Sequence, residues 1–461
     1  MVSLGFAIAL PPGWLATFCG LRLPLAMKMS HRSKKSASVV GRPWLGPNRG
    51  ARGMIYLAYQ SQVDIMQPVR VLAASALSAM NGTLNGSLSS FGSQPLRNLA
   101  AAYEMLARAG ISHARPPFGI DKVMAGNREV AVTEEPAHVT PFGTLLHFKK
   151  DVDLAQPRVM VVAPLSGHFA TLLRETVRTL LPEHDVYITD WHNARDVPAS
   201  DGRFGFDDYV EHMIEFLQAL GPGAHVVAVC QPCVAALVAT AVMAKNGMKA
   251  QPKSLTLMAG PIDGRINPTK VNELATGKPI EWFEQNLISI VPAKLPGGGR
   301  RVYPGFVQLA AFMSMNMDRH VKAHIELYEN LAKGETAKAD ATKAFYDEYF
   351  AVLDLAAEFY LETVQWIFQD FRLPKGELKF RGDLVEPKAI RKTSLLTVEG
   401  ERDDICALGQ TLAAQDLCSG IKPYRKRHHM QAGVGHYGVF SGKRWNGQIY
   451  PIVRNTILAS D

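Results

Sequence analysis

A mostly parallel α/β sheet flanked by helices, with an N-terminal helical segment and a helical insertion, is the fold class this sequence predicts. Three observations carry the prediction. From residue 157 short apolar runs alternate with amphipathic helical segments, at 159–162, 186–189, 226–229 and 255–258 and, much later, at 395–398. Continuous apolar runs of that length, spaced by helices, are how strands buried on both faces read. Between the last two runs lie two long helical stretches, VQLAAFMSMNMDRHVKAHIELYENL and AFYDEYFAVLDLAAEFYLETVQWIF, placed as a lid over the carboxyl ends of the strands. Upstream, MIYLAYQSQVDIMQPVRVLAASALSAM and PLRNLAAAYEMLARAG are helical, joined by a Gly/Ser/Asn-rich link at 81–94.

The division that follows is a basic extension at 1–53, an N-terminal helical segment at 54–110, an α/β core at 111–270 and 390–461, and the helical insertion at 271–389. Two strand-like pieces, REVAVTEE and TLLHFKK, open the core and are joined through Pro136 and Pro141.

The chain has 461 residues, 47% of them hydrophobic and 20% charged, ordinary globular values that exclude a disordered or fibrous protein. Its net charge of +8 is local. Eight of the 50 Lys and Arg and none of the 42 Asp and Glu lie in residues 1–53, and Asp64 is the first acidic residue. The remainder is formally neutral, which argues against binding to nucleic acid through phosphate contacts. Five cysteines, at 19, 230, 233, 406 and 418, form no disulfide framework and suit a reducing compartment. No cysteine or histidine pairs recur at zinc-ligand spacing, so no metal is expected.

The extension begins with an uncharged run from Met1 to Leu21, interrupted by Pro11 and Pro12, with its positive charges following the run. A secretory signal has the reverse order, and adjacent prolines disfavour a membrane span. Residues 1–53 are therefore expected to be a disordered or artefactual extension, with Met54 as the natural start. The chain begun at Met54 should keep its activity and thermal stability.

The chemistry concentrates in HVVAVCQPCVAALVATAVMAKNG, residues 225–247. An apolar strand ends at Val229, and an Ala/Val-rich helix follows after a sharp break, with Pro232 as its first residue. A nucleophile on such a turn projects above the sheet at the positive end of the helix, where a thiolate is favoured. Cys230 occupies that place. The usual elbow is G-x-S-x-G; here Ala228 and Pro232 stand where the glycines would be. Against this reading, a strand-end cysteine is commonly a buried packing residue, and Cys230 with Cys233 spells C-x-x-C, a redox pair.

An acid and a histidine follow in the order an acyl-transfer triad requires. Asp403 lies just past the strand at 394–398, where it can reach a histidine Nδ1–H and fix its tautomer; Asp404 is its rival, and both could cap a helix starting near Ile405. His436 sits among Gly433, Gly435 and Gly438 in a loop that can bring its ring close to backbone. His428 and His429 are alternatives within the basic run RKRHH. An oxyanion needs backbone donors. Gln231 supplies one; Ser166, in APLSGHF after the strand at 159–162, supplies the other, with Gly167 and His168 within reach of the same role.

Together these stretches resemble the intracellular polyhydroxyalkanoate depolymerases that act on poly(3-hydroxybutyrate), members of the α/β-hydrolase superfamily. The matching segments include APLSGHFATLLRETV, ITDWHNARDVP, HVVAVCQP, GPIDGRINPTKVNELA, RVYPGFVQL, LTVEGERDDICALGQT and GVGHYGVFSGKRW, and they span residues 54–461. The resemblance implies an α/β-hydrolase fold with a lid and a cysteine nucleophile followed by Gln-Pro. It places Cys230, Asp403 and His436 in the triad and leaves Cys233 a packing residue. It further implies no bound cofactor, with water or the thiol of coenzyme A as acyl acceptor. The expected partner is the amorphous polymer granule, at whose surface in the cytoplasm the protein would work, without a membrane span. The rival readings are a polyhydroxyalkanoate synthase, whose elbow would read G-x-C-x-G-G, and a non-catalytic granule-associated protein of the same fold.

Overall fold

The computed structural model describes residues 49–85, 94–315 and 317–461. Residues 1–48, which hold most of the expected extension, lie outside them; helix α1 (Arg49–Asn85) begins before Met54 and continues into the expected link. The described chain forms two compact units, one of residues up to Ile111 with Met317–Lys343, the other of Ser112–Asn316 with Ala344–Asp461.

In the smaller unit, α2 (Gln94–Ala107) packs against both α1 and the helix Met317–Lys333. Gln94 Nε2 donates to Ala332 O at 3.2 Å, and Lys343 pairs with Glu104 at 3.0 Å. Part of the expected insertion therefore belongs with the N-terminal helices. No helix among the described residues is long and apolar enough to cross a membrane.

The larger unit is built on a nine-stranded sheet. Its strands are β1 (Lys122–Ala125), β2 (Arg128–Thr140), β3 (Gly143–Lys150), β4 (Arg158–Val162), β5 (Asp185–Trp191), β6 (His225–Val229), β7 (Ser254–Met258), β13 (Ser394–Gly400) and β14 (Lys426–Gln431). Their spatial order is β1-β2-β3-β5-β4-β6-β7-β13-β14. The first four are joined antiparallel and everything from β5 to β14 is parallel. The five apolar runs of the sequence are five of the six strands of that parallel half, the sixth being the polar edge strand β14, and β6 is buried throughout. β6 lies at its centre, between β4 and β7, with Val162 level with Ala228 and Val229 level with Met258.

Helices cover the sheet because their sequences demand burial. In α3 (Phe206–Leu220) the buried residues Phe206, Tyr209, Val210, Met213, Phe216, Leu217 and Leu220 recur at helical spacing. The Asp208 carboxylate accepts from Gly205 N at 2.7 Å and closes its first turn. The helix α4 (Cys233–Lys245) is apolar all round and is buried all round. Its Val234, Leu237, Val238 and Met243 are each at most 1% exposed, and each contributes roughly 1.5–3 kcal/mol of burial.

Three local expectations are corrected. β2 does not stop at Pro136; it runs on to Thr140, and the register shifts between Pro136 and His138, a bulge being where a strand tolerates proline. The segment 271–389 is not purely helical. It also holds a three-stranded sheet of β8 (Ser289–Ile290), β9 (Arg301–Tyr303) and β10 (Leu355–Ala356), and a hairpin of β11 (Lys379–Phe380) and β12 (Asp383–Leu384). The stretch expected as one helix through residue 368 breaks after Tyr349, where Val352 leaves the helix to pair with His168.

Candidate active site

The elbow begins with the backbone of Cys230, whose φ is +67°. A non-glycine residue in that left-handed region is strained and needs its surroundings to hold it there. Cys230 N donates to Met258 O at 2.8 Å, and Cys233 N donates to Cys230 O at 3.1 Å, so the turn is pinned to β7 and to the first residue of α4. Pro232 precedes that residue in helical conformation, and its O accepts from Ala236 N at 2.8 Å; the helix thus starts one residue later than expected.

The room that elbow glycines would give comes instead from Gly260, just beyond β7. A Cβ there would lie 2.2 Å from Cys233 Cβ and 2.8 Å from Cys230 O, which no real contact allows. The sequence gives no hint of this, because the approach exists only once β6 and β7 are paired. Gly260→Ala should therefore destabilise the protein by about 1–3 kcal/mol, the range for overpacking, and should lower activity by displacing Cys230. Thermal denaturation alongside an ester-cleavage assay checks both.

The two cysteines of C-x-x-C differ in kind. Cys230 is half-buried and Cys233 is buried. The Cys233 thiol donates to Ala228 O at 3.3 Å and to Met258 O at 3.5 Å. Burial, with the charge of Cys230 next, pushes its pKa well above the ordinary thiol range, so it stays protonated and inert.

The acid and histidine follow β13 and β14, whose ends lie on the same side of the sheet as that of β6. Asp403 Oδ1 accepts from Ile405 N at 2.9 Å and Cys406 N at 2.8 Å. Its Oδ2 accepts from His436 Nδ1 at 2.8 Å. No helix begins at Ile405; the two amides belong to a turn that aims the carboxylate. Asp404 is exposed. His428 and His429 lie on β14, bonded to Thr397 and Gln431.

Burial alone would lower the pKa of His436. The charge of Cys230, the hydrogen bonds of Asp403 and Cys230 and the charge of Asp403 outweigh it and raise the pKa to about 10. The ring is therefore an imidazolium at neutral pH, facing the Cys230 sulfur.

A second buried carboxylate, missed at the sequence level, holds the acid loop. Glu399, next to last in β13 and 2% exposed, accepts from Gly409 N, Thr411 N and Leu412 N at 2.8–3.0 Å. Thr411 Oγ1 in turn bonds both N and O of Gly260, at 2.9 and 3.0 Å. The acid loop and the elbow are thereby tied together.

Ser166 lies in the turn after β4, beside the elbow because β4 and β6 are paired. Gly167 adopts φ +100°, and its O accepts from Leu353 N at 2.9 Å. Neither Ser166 N–H nor Gln231 N–H makes a hydrogen bond among the described residues. Open backbone donors are uncommon where a fold is tightly packed, and a pair beside a nucleophile suits an oxyanion. His168 is buried, donates from Nε2 to Tyr349 O at 3.2 Å, and is held down to about 4 by burial, against that bond. It is neutral and braces the turn. No cluster able to hold a metal ion occurs among the described residues.

Residues 259–461 match the family described as PHB de-polymerase C-terminus. No curated protein matches the chain. Similar solved structures include the 2-hydroxy-6-oxo-6-phenylhexa-2,4-dienoate hydrolase from Rhodococcus sp. strain RHA1, at 12% identity and TM-score 0.39, covering 71% of this chain and 99% of that one. A monoacylglycerol lipase from Paleococcus ferrophilus shows 12% identity and TM-score 0.39, over 66% of this chain and 95% of that one. An alpha/beta hydrolase from Penicillium sp. shows 15% identity and TM-score 0.40, over 72% and 97%. The central parallel sheet carries a strained strand-to-helix turn at its middle strand, and the C-terminal part of the chain, residues 259–461, is that of the PHB depolymerases, which are carboxylic ester hydrolases.

Proposed function

We propose that this protein cleaves the ester bonds of amorphous intracellular poly(3-hydroxybutyrate) and related short-chain polyhydroxyalkanoates through a Cys230–His436–Asp403 triad. The observation that carries the reading is the strained Cys230 turn facing an imidazole that Asp403 holds by Nδ1. Thiolate attack on a polymer carbonyl forms the Cys230 S–C bond, and the N–H groups of Ser166 and Gln231 hold the oxyanion. As the intermediate collapses, the C–O bond to the departing chain breaks and His436 gives that oxygen its proton. The neutral ring then takes a proton from the acceptor as it attacks the thioester, and Cys230 is released as thiolate with His436 recharged. The acceptor is water or the thiol of coenzyme A. The site of action is the granule surface in the cytoplasm.

The test is direct. Purified protein incubated with native amorphous granules should release 3-hydroxybutyrate monomers or oligomers, or 3-hydroxybutyryl-CoA when coenzyme A is supplied. Without granules it should not polymerise 3-hydroxybutyryl-CoA. Polymer synthesis without degradation would mean a synthase; neither activity would mean a granule-associated protein that has kept only the fold.

A further inference from the structure

The turn that offers Ser166 N–H is roofed by helix α5 (Gly305–Met315), whose sequence GFVQLAAFMSM is almost wholly apolar. Gln308 and Ser314 are its only polar side chains. Ser314 Oγ returns its hydrogen bond to Ala311 O at 2.7 Å. Gln308 does not: its side-chain amide makes no hydrogen bond among the described residues, and the residue is only half-buried. Its position is fixed by the turn beneath it. A Cβ on Gly167 would lie 2.7 Å from Gln308 Cγ and 3.6 Å from Gln308 Cδ. One turn along the helix, Phe312 stacks on His168 with ring centroids 6.0 Å apart. The start of the helix is anchored to the same structure, Gly305 N donating to Asp354 Oδ1 at 2.8 Å, while Leu353 N holds Gly167 O. An open primary amide is therefore clamped, on an apolar surface, one residue from the oxyanion donor.

Resting on the ester-cleavage reading above, we infer that Gln308 is a specificity residue that hydrogen-bonds the oxygen on the third carbon of the acyl unit under attack. In a 3-hydroxyalkanoate chain that oxygen is two carbons from the reacting carbonyl, and the rest of the unit is hydrocarbon. A group beside the oxyanion donors is placed to meet it. In an interior unit the oxygen belongs to an ester and accepts from the amide N–H. At the hydroxyl end of the chain it is an alcohol, which can also donate to the amide oxygen. A carboxamide serves both cases, since it carries a donor and an acceptor. A site built to bond a substrate oxygen discriminates against the analogue that lacks it, because its own polar group is then left unpaired.

The experiment compares two activated esters with the same leaving group, p-nitrophenyl 3-hydroxybutyrate and p-nitrophenyl butyrate, on wild type, Gln308→Met and Gln308→Leu. Both substitutions fill the space over Gly167 without offering a hydrogen bond. The readout is the ratio of kcat/KM for the two esters, which does not depend on the fraction of folded enzyme. Wild type should prefer the hydroxy ester, and both variants should lose about tenfold of that preference, through the hydroxy ester. Equal losses on both esters would make Gln308 a brace for the turn and overturn the inference, while the cleavage reading stands. An unchanged ratio overturns it as well. A wild type that cleaves neither ester overturns both readings at once.

Discussion

Cys230→Ala should cut ester cleavage by about a thousandfold or more, the scale on which loss of a covalent nucleophile is felt, whereas Cys233→Ala should keep most of it. The two residues share a turn but not an environment. Cys230 sits at φ +67° next to the imidazolium, and Cys233 is buried with its thiol bonded to two strand carbonyls. Losing the Cys233 sulfur leaves a small void beside Gly260 and costs on the order of 1 kcal/mol. Kinetics on a soluble 3-hydroxybutyrate oligomer and thermal denaturation of both variants separate chemistry from stability. Equal loss of activity in both, without unfolding, would restore the redox-pair reading of C-x-x-C.

Asp403→Asn should be nearly as damaging, about a thousandfold to ten-thousandfold in kcat, because the amide cannot satisfy the same partners. Two backbone N–H groups, of Ile405 and Cys406, already require an oxygen at the Oδ1 position. The asparagine oxygen must go there, so its NH2 faces His436 Nδ1. The ring must then accept at Nδ1 and carry its proton on the other nitrogen, the wrong tautomer for a base toward the acceptor. The substitution also removes one of the groups that outweigh burial and raise the His436 pKa to about 10. A raised pKa contributes stability that is fully present below the ordinary histidine value of 6.5 and is lost as pH rises through about 10. Wild type should therefore hold its His436 proton until near pH 10 in an NMR titration, and the variant should release it clearly lower. An unchanged titration would mean that Asp403 does not act on the ring.

How far the sequence could be read depended on whether a feature is local. The elbow was legible because an apolar strand, a break and a helix follow one another within residues 225–245. Asp403 and His436 were legible because each follows a strand or lies in a glycine-flanked loop. Gly260 was not, since its closeness to Cys233 arises from the pairing of β6 with β7. Glu399 read as one more strand residue; its four hydrogen bonds come from a loop that folds back only in three dimensions. The break after Tyr349 was invisible because residues 350–356 keep a helix-compatible pattern, and pairing with Ser112 and His168 overrides it. β1, a four-residue edge strand, and the two- and three-residue strands around 271–389 are too short to show any period.

The most direct test of the account is to catch the acyl-enzyme. His436→Ala should still acylate slowly with p-nitrophenyl 3-hydroxybutyrate, and it should then deacylate poorly because no base activates the acceptor. Quenching in acid, digestion and mass spectrometry should find one 3-hydroxybutyryl group on the peptide bearing Cys230 and Cys233. Fragmentation should place it on Cys230, and hydroxylamine should remove it, as a thioester requires. An acyl group on Cys233 or on a serine, or turnover that persists in Cys230→Ala, would contradict the central claim that Cys230 is the nucleophile.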